Sequence, residues 1–254
     1  MCHLFAISSS APRTLGPFFE SLAPYSETES PDGWGVAAAA AGRTTLIKEP
    51  RTFAAALRAG NGAVARAART PGDVLLFHIR EGSVGKNSPE NTHPFRRRAL
   101  RRTFLFAHNG TVPRVKERAL RRLEPAGDTD SEHAFLSILE SMPASPAPAF
   151  ARWLKAAADE IRSTGKFNFV MTDGETLWAY ADTSLHWCRR KQAADGRRGA
   201  ARTERPKRTI VPPAKRTVRS VLVATCPFTD EDSWSPLEPG NLLVARSGRM
   251  QAIL

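Results

Sequence analysis

The run Asp73–Arg80, DVLLFHIR, limits the possible folds more than any other stretch of the chain. It is too short for a typical globular helix and lacks the polar alternation of a half-solvated strand. It therefore reads as a strand buried on both faces, which needs cover from both sides. Further strand-like runs lie toward both ends: CHLFAIS at 2–8, DGWGVAAAA at 32–40, TTLIKE at 44–49, TFLFAHNG at 103–110, RSVLVATCPF at 219–228 and NLLVARSG at 241–248. FNFVMTDGETLWAY at 167–180 reads as a hairpin turning at Asp173-Gly174.

Helical signals fall in the middle. Residues 52–69 are rich in Ala and Arg. TDSEHAFLSILESM starts at Thr129 with Glu132 three residues on, a capping box, and Ala134, Phe135, Ile138, Leu139 and Met142 share one apolar face. PAFARWLKAAADEIRS aligns Phe150, Trp153, Leu154, Ala157 and Ile161. Antiparallel strands around a helical middle imply sheets covered by helices.

Composition decides two questions. The 254-residue chain carries a net charge of +12, but twelve Lys/Arg against Asp195 and Glu204 place +10 of it in residues 189–219. The basicity thus belongs to one linker-like segment, read as a mobile insertion. This segment is a route to nucleic acid or an acidic partner through phosphate-type contacts, but it has no aromatic residue for base stacking. No apolar run reaches the roughly 20 residues of a membrane span, and no signal-peptide pattern opens the chain. Three cysteines, Cys2, Cys188 and Cys226, cannot all pair and have no zinc-ligand spacing. A reducing, cytoplasmic setting is expected.

Several polar residues are candidates for chemistry. Cys2 follows the initiator; if Met1 is removed, a thiol and a free α-amine share one carbon. Arg80 ends the buried strand, where a guanidinium is costly unless an anion meets it. Asn109-Gly110 is a common hairpin-turn signal, yet an Asn side-chain N–H and a neighbouring backbone N–H also suit an oxyanion hole. Asp130 is adequately explained as a first-turn helix acid. His93, in NTHPF, reads as a loop-orienting residue, and SPDGWGV at 30–36 reads as a turn entering a strand.

Taken together, Cys2, HIREGSVGKNSPENTHPF, AHNG and DTDSE, in that order, resemble the class II glutamine amidotransferases, which are N-terminal-nucleophile hydrolases. With DGWGV, FNFVMTDGETLWAY, SLHWCRRK and CPFTDEDSW, the resemblance is to the stand-alone YafJ-like branch and covers the chain outside the basic insertion. It implies an α+β fold, a four-layer αββα sandwich with two antiparallel sheets, as a single domain over 1–254. It also implies Cys2 as nucleophile, Asn109 and Gly110 as oxyanion donors, and Arg80, Ser83 and Asp130 as contacts to the substrate's α-carboxylate, bound glutamine and α-ammonium. No metal or cofactor is expected.

The implied reaction cleaves the γ-carboxamide of glutamine or of a γ-glutamyl compound through a thioester, with ammonia passed to a separate acceptor enzyme; a homodimer is the family-level expectation. Glu81 stands where several relatives carry an aromatic residue, which leaves open a γ-glutamyl amide on a larger metabolite as substrate. A non-catalytic module recruited through 189–219 is the alternative of a different class.

Overall fold

The computed structural model describes residues 2–26, 31–60, 62–81, 85–143, 149–193, 217–230 and 232–254. Its strands are β1 (His3–Arg13), β2 (Pro31–Ala40), β3 (Arg43–Glu49), β4 (Gly72–Glu81), β5 (Phe95–Ala99), β6 (Arg102–Thr111), β7 (Lys166–Thr172), β8 (Thr176–Tyr180), β9 (Leu185–Ala193), β10 (Thr217–Ala224), β11 (Ser235–Leu237), β12 (Leu242–Arg246) and β13 (Arg249–Ile253). The helices are α1 (Phe19–Leu22), α2 (Phe53–Arg58), α3 (Gly62–Arg69), α4 (Asp130–Ser141) and α5 (Phe150–Arg162).

The strands form two antiparallel sheets, one ordered β11-β9-β10-β1-β4-β2-β3 and the other β13-β12-β8-β7-β6-β5. β4, the doubly buried run, sits inside the first sheet between β1 and β2.

The period-2 alternation of the strands sorts the core into three layers. Between the sheets lie small and aliphatic side chains: Leu4 and Ala6 of β1, Ala37 and Ala39 of β2, Val74 and Leu76 of β4, Leu105 and Ala107 of β6, Val170 of β7. The alternate residues Phe5, Ile7, Trp34, Leu75 and Phe77 face outward, under Phe19, Phe53 and Val64 of α1–α3. Phe104, Phe106, Phe167 and Phe169 face the other way, under Phe135 and Ile138 of α4 and Leu154 and Ile161 of α5. The result is the four-layer αββα sandwich. Large aromatics fill the two helix–sheet layers; the intersheet layer holds smaller residues.

Three expectations change in detail. Asn109-Gly110 is not a turn: β6 runs through both to Thr111, pairing Asn109 with Asn168 and Gly110 with Phe167. Gly110 has φ +148°, and a Cβ there would meet the Lys166 carbonyl oxygen at 2.0 Å, so close backbone approach is what the glycine provides. Residues 52–69, helical in composition, form two helices, with Gly60 at φ +59° between them. The helix α4 cap is half a capping box. Thr129 Oγ1 accepts from Glu132 N at 3.2 Å, but the Glu132 carboxylate reaches further back, to Ala126 N and Gly127 N, and pairs with Arg97.

Both ends of the segment 189–219, expected as a mobile insertion, are strand. Arg189, Arg190, Lys191 and Arg219 belong to β9 and β10, which pair as far as Thr217 opposite Ala193. Residues 194–216 lie outside the described residues. No helix among the described residues is long and apolar enough to cross a membrane.

Candidate active site

Strand parity carries the polar candidates to one place. Cys2 precedes Leu4 and Ala6 on the same face of the first sheet, and Arg80 continues Val74 and Leu76. Asn109 continues Leu105 and Ala107 in the second sheet; Asn168 precedes Val170, and Thr225 continues Val221 and Val223. All five positions therefore lie on the intersheet faces, at the end where the small apolar filling gives way to polar groups.

The contacts tie them together. The Cys2 thiol lies 3.2 Å from both the backbone N–H and the carbonyl of Glu81, accepting from one and donating to the other. Asn109 Nδ2 crosses from the second sheet to donate to the Cys2 carbonyl at 2.8 Å and, at 3.4 Å, to Thr225 Oγ1. That hydroxyl accepts from Leu4 N at 2.9 Å. Asn168 Nδ2 donates to the Asn109 carbonyl at 3.1 Å, and Asn168 Oδ1 accepts from the amides of Asp182, Thr183 and Ser184.

Arg80 is 3% exposed, with Nη1 at 3.8 Å from the Asp32 carboxylate and Nη2 donating to Gly85 O at 3.2 Å. The anion that a buried guanidinium demands is thus supplied in part by the protein itself. Burial pushes the Cys2 thiol up to about 11, with the N-terminal ammonium and Arg80 pulling it back and Asp32 raising it. Such a thiol is neutral at physiological pH and needs a base at the moment of attack.

Asp130, at the first position of α4, is buried and accepts from Val112 N at 2.6 Å and Ser131 N at 2.8 Å. Two lone-pair directions remain on a carboxylate so engaged. Behind it, the Ser131 hydroxyl meets His108 Nδ1 at 2.8 Å, while His108 Nε2 faces the Lys166 carbonyl at 3.1 Å. A carbonyl only accepts, so Nε2 carries the proton and Ser131 donates to Nδ1. Burial holds His108 below the ordinary histidine range, against the opposing pull of Asp130. His93, expected to orient its loop, lies in the segment before β5 and is buried against the rings of His78 and Phe95. Ser83 lies outside the described residues.

Sequence reasoning did not single out Thr225, Asn168 or Asp32. Asn168 left one trace, a polar residue inside the apolar FNFVM run. Thr225 left none, because its role depends on contacts with residues more than 100 positions away. No group of three or more His, Cys, Asp or Glu side chains among the described residues is placed to hold a metal.

Comparison with known proteins agrees with this architecture. The chain is 33% identical over 263 residues to MJ1515 of Methanocaldococcus jannaschii, covering 98% of this chain and 70% of that one. It is 30% identical over 253 residues to YafJ of Escherichia coli (strain K12), covering 94% of this chain and 95% of that one. Among solved structures, a predicted glutamine amidotransferase from Pseudomonas aeruginosa PA01 superposes with a TM-score of 0.67 at 24% identity, over 99% of this chain and all of that one. The glutamine phosphoribosylpyrophosphate amidotransferase of Bacillus subtilis superposes with a TM-score of 0.64 at 15% identity, over 98% of this chain and 48% of the larger enzyme. These two likenesses carry the sandwich fold. The family profile for class-II glutamine amidotransferases matches residues 1–254, so the chain is an enzyme and belongs to the class II glutamine amidotransferases.

Proposed function

We propose that the mature chain begins at Cys2 and that the enzyme hydrolyses the γ-carboxamide of glutamine or of a γ-glutamyl compound through a thioester on that cysteine. The observation that carries this reading is the meeting of Cys2, Asn109 and Arg80 at one end of the intersheet layer, with Asn109 Nδ2 2.8 Å from the Cys2 carbonyl.

The chemistry follows from the side chains. A free α-amine, with a pKa of about 7.7–8.0, is unprotonated in appreciable fraction at neutral pH and takes the thiol proton. The sulfur attacks the γ-carbon, and the carbonyl oxygen becomes an oxyanion. Asn109 gives up its long contact to Thr225 to donate to that oxygen, joined by the Gly110 N–H. The C–N bond breaks, the amine returns the proton to the departing ammonia, and water then cleaves the S–C bond to leave a γ-carboxylate. Arg80 grips the substrate α-carboxylate in place of Asp32, and Asp130 uses its remaining acceptor capacity for the α-ammonium. The ammonia passes to a separate acceptor enzyme.

A second reading, a γ-glutamyl amide of a larger metabolite, is favoured by Glu81. Its backbone touches the thiol, and an acidic residue follows Arg80 in sequence at the position where the family resemblance implies an aromatic in several multidomain members. A panel of glutamine and N-substituted γ-glutamyl amides separates the two by kcat/KM.

Intact mass after labelling with a glutamine-mimicking electrophile tests the core of the proposal. The expected product has lost Met1 and carries one adduct on Cys2; Cys2→Ala takes no label and loses turnover. Active enzyme that retains Met1 overturns it. The acylation rate is expected to fall about tenfold per pH unit well below the amine pKa, because the protonated amine no longer accepts the thiol proton.

A further inference from the structure

The intersheet layer has two ends, and the proposed chemistry uses only one. At the other, a cavity of about 470 Å³ opens between the tips of the β2–β3, β5–β6 and β7–β8 hairpins. Asn109 and Thr103 bracket the distance along β6: six residues, or roughly 20 Å at strand rise. We propose that this cavity binds a small polyphosphorylated anion, a phosphate chain or the phosphates of a nucleotide.

Four arginines, Arg43 from the first sheet and Arg98, Arg101 and Arg102 from the second, line the cavity. Both lining carboxylates are already engaged: Asp173 by Arg102 at 2.6 Å and Glu175 by Arg246. Arg43, Arg98 and Arg101 have no carboxylate partner among the described residues. Guanidinium groups brought from two sheets to one concavity repel one another, and an anion bound among them removes that repulsion. Planar, multi-donor groups suit phosphate oxygens, which accept two parallel hydrogen bonds from each. The volume lies within the range of small-molecule sites, and Thr44 and Thr103 add hydroxyls to the wall.

A row of arginines on an edge strand is also a known guard against edge pairing. That reading accounts for Arg96, which is exposed on the same strand without lining the cavity, but not for the convergence of Arg43 with Arg98 across the two sheets. Leu100-Arg101 and Ala41-Gly42 are two-residue hairpin loops with positive φ at both positions (+46° and +64°, +49° and +73°), the backbone that such tight turns favour. At the β5–β6 tip, this conformation carries Arg101 to the cavity wall.

Isothermal titration of the full-length protein with sodium tripolyphosphate and with ATP tests the assignment, with citrate as a non-phosphate polyanion. The expected result is saturable one-to-one binding of a phosphate ligand, weakened at least tenfold in Arg98→Gln/Arg101→Gln and, independently, in Arg43→Gln. Arg197→Gln/Arg198→Gln, in the basic segment, should change it by less than twofold. Equal affinity for tripolyphosphate and ATP assigns the site to the phosphate chain, and tighter ATP binding assigns it to a nucleotide; both support the proposal. No saturable binding overturns it, as do citrate binding as tightly as either phosphate ligand and a loss of binding as large in the Arg197/Arg198 variant. Retained amidase activity in the arginine variants shows that they are folded.

Discussion

Asn109 has two N–H groups and, in the proposed reaction, three acceptors: the Cys2 carbonyl at 2.8 Å, Thr225 Oγ1 at 3.4 Å and the oxyanion. The longer contact is the one that yields, so Asn109 serves the ground state weakly and the transition state strongly. Asn109→Ala is therefore expected to lower kcat by roughly 10²–10³, about 3–4 kcal/mol of barrier, with a much smaller change in KM. Steady-state kinetics check this, and an equal rise in KM with unchanged kcat would place Asn109 in substrate binding instead. Arg80→Lys is expected to show the opposite split. An ammonium keeps the charge but loses the parallel two-bond grip on a carboxylate, so KM rises at least tenfold while kcat moves less. Both residues were visible in the sequence because their types are out of place, an arginine closing an apolar strand and an amide beside a glycine. Thr225 is an ordinary strand-end hydroxyl until the fold sets it between Leu4 and Asn109, which no local pattern announces.

The strands and the two long helices were legible because each has a strong period and definite ends. Thr129 starts α4 where a cap should, and β4 has no polar alternation because both of its faces are covered. The Asn109-Gly110 pair misleads as an element signal for a physical reason. Asn-Gly is favoured in tight turns because glycine accepts positive φ, but here the glycine's positive φ and missing Cβ admit a close backbone approach within a ladder. Gly110→Ala makes the difference measurable. Its Cβ would sit 2.0 Å from the Lys166 carbonyl oxygen, and the atom it meets is backbone. β6 and β7 must part locally, so a destabilisation of about 1–3 kcal/mol or more is expected, read as a lower urea midpoint at an unchanged m-value. At a surface turn the same substitution would cost less and leave the activity intact; here Asn109 is displaced with it, and kcat falls too. The helical composition of 52–69 does not reveal two separate helices, because the left-handed φ of Gly60 between them is a local choice that composition over eighteen residues averages away.

At the scale of the whole molecule, the layer between the sheets and the layer under α4 both trap histidines as neutral groups. Burial lowers His78 to about 3, lowers His93 well below the ordinary range, and lowers His108. In the unfolded chain these groups titrate near 6.5. Between that pH and their depressed native values the unfolded state binds more protons than the native state, so stability falls as pH falls. Each histidine contributes a slope of roughly 1.4 kcal/mol per pH unit within its window, on a plateau above about pH 6.5. Denaturant melts at pH 7.5 and pH 5 are expected to differ accordingly, and His93→Phe isolates one member of the group. The His93 ring packs on His78 and Phe95 at centroid distances of 4.3 and 4.4 Å, and neither ring nitrogen has a hydrogen-bond partner among the described residues. Phenylalanine keeps the ring contacts and removes two desolvated polar atoms, so neutral-pH stability should rise by on the order of 1 kcal/mol. The acid-limb slope should fall by one histidine's share. A variant that is less stable at pH 7.5, with an unchanged slope, would mean that His93 has a polar partner in solution and that its charge state does not govern acid unfolding.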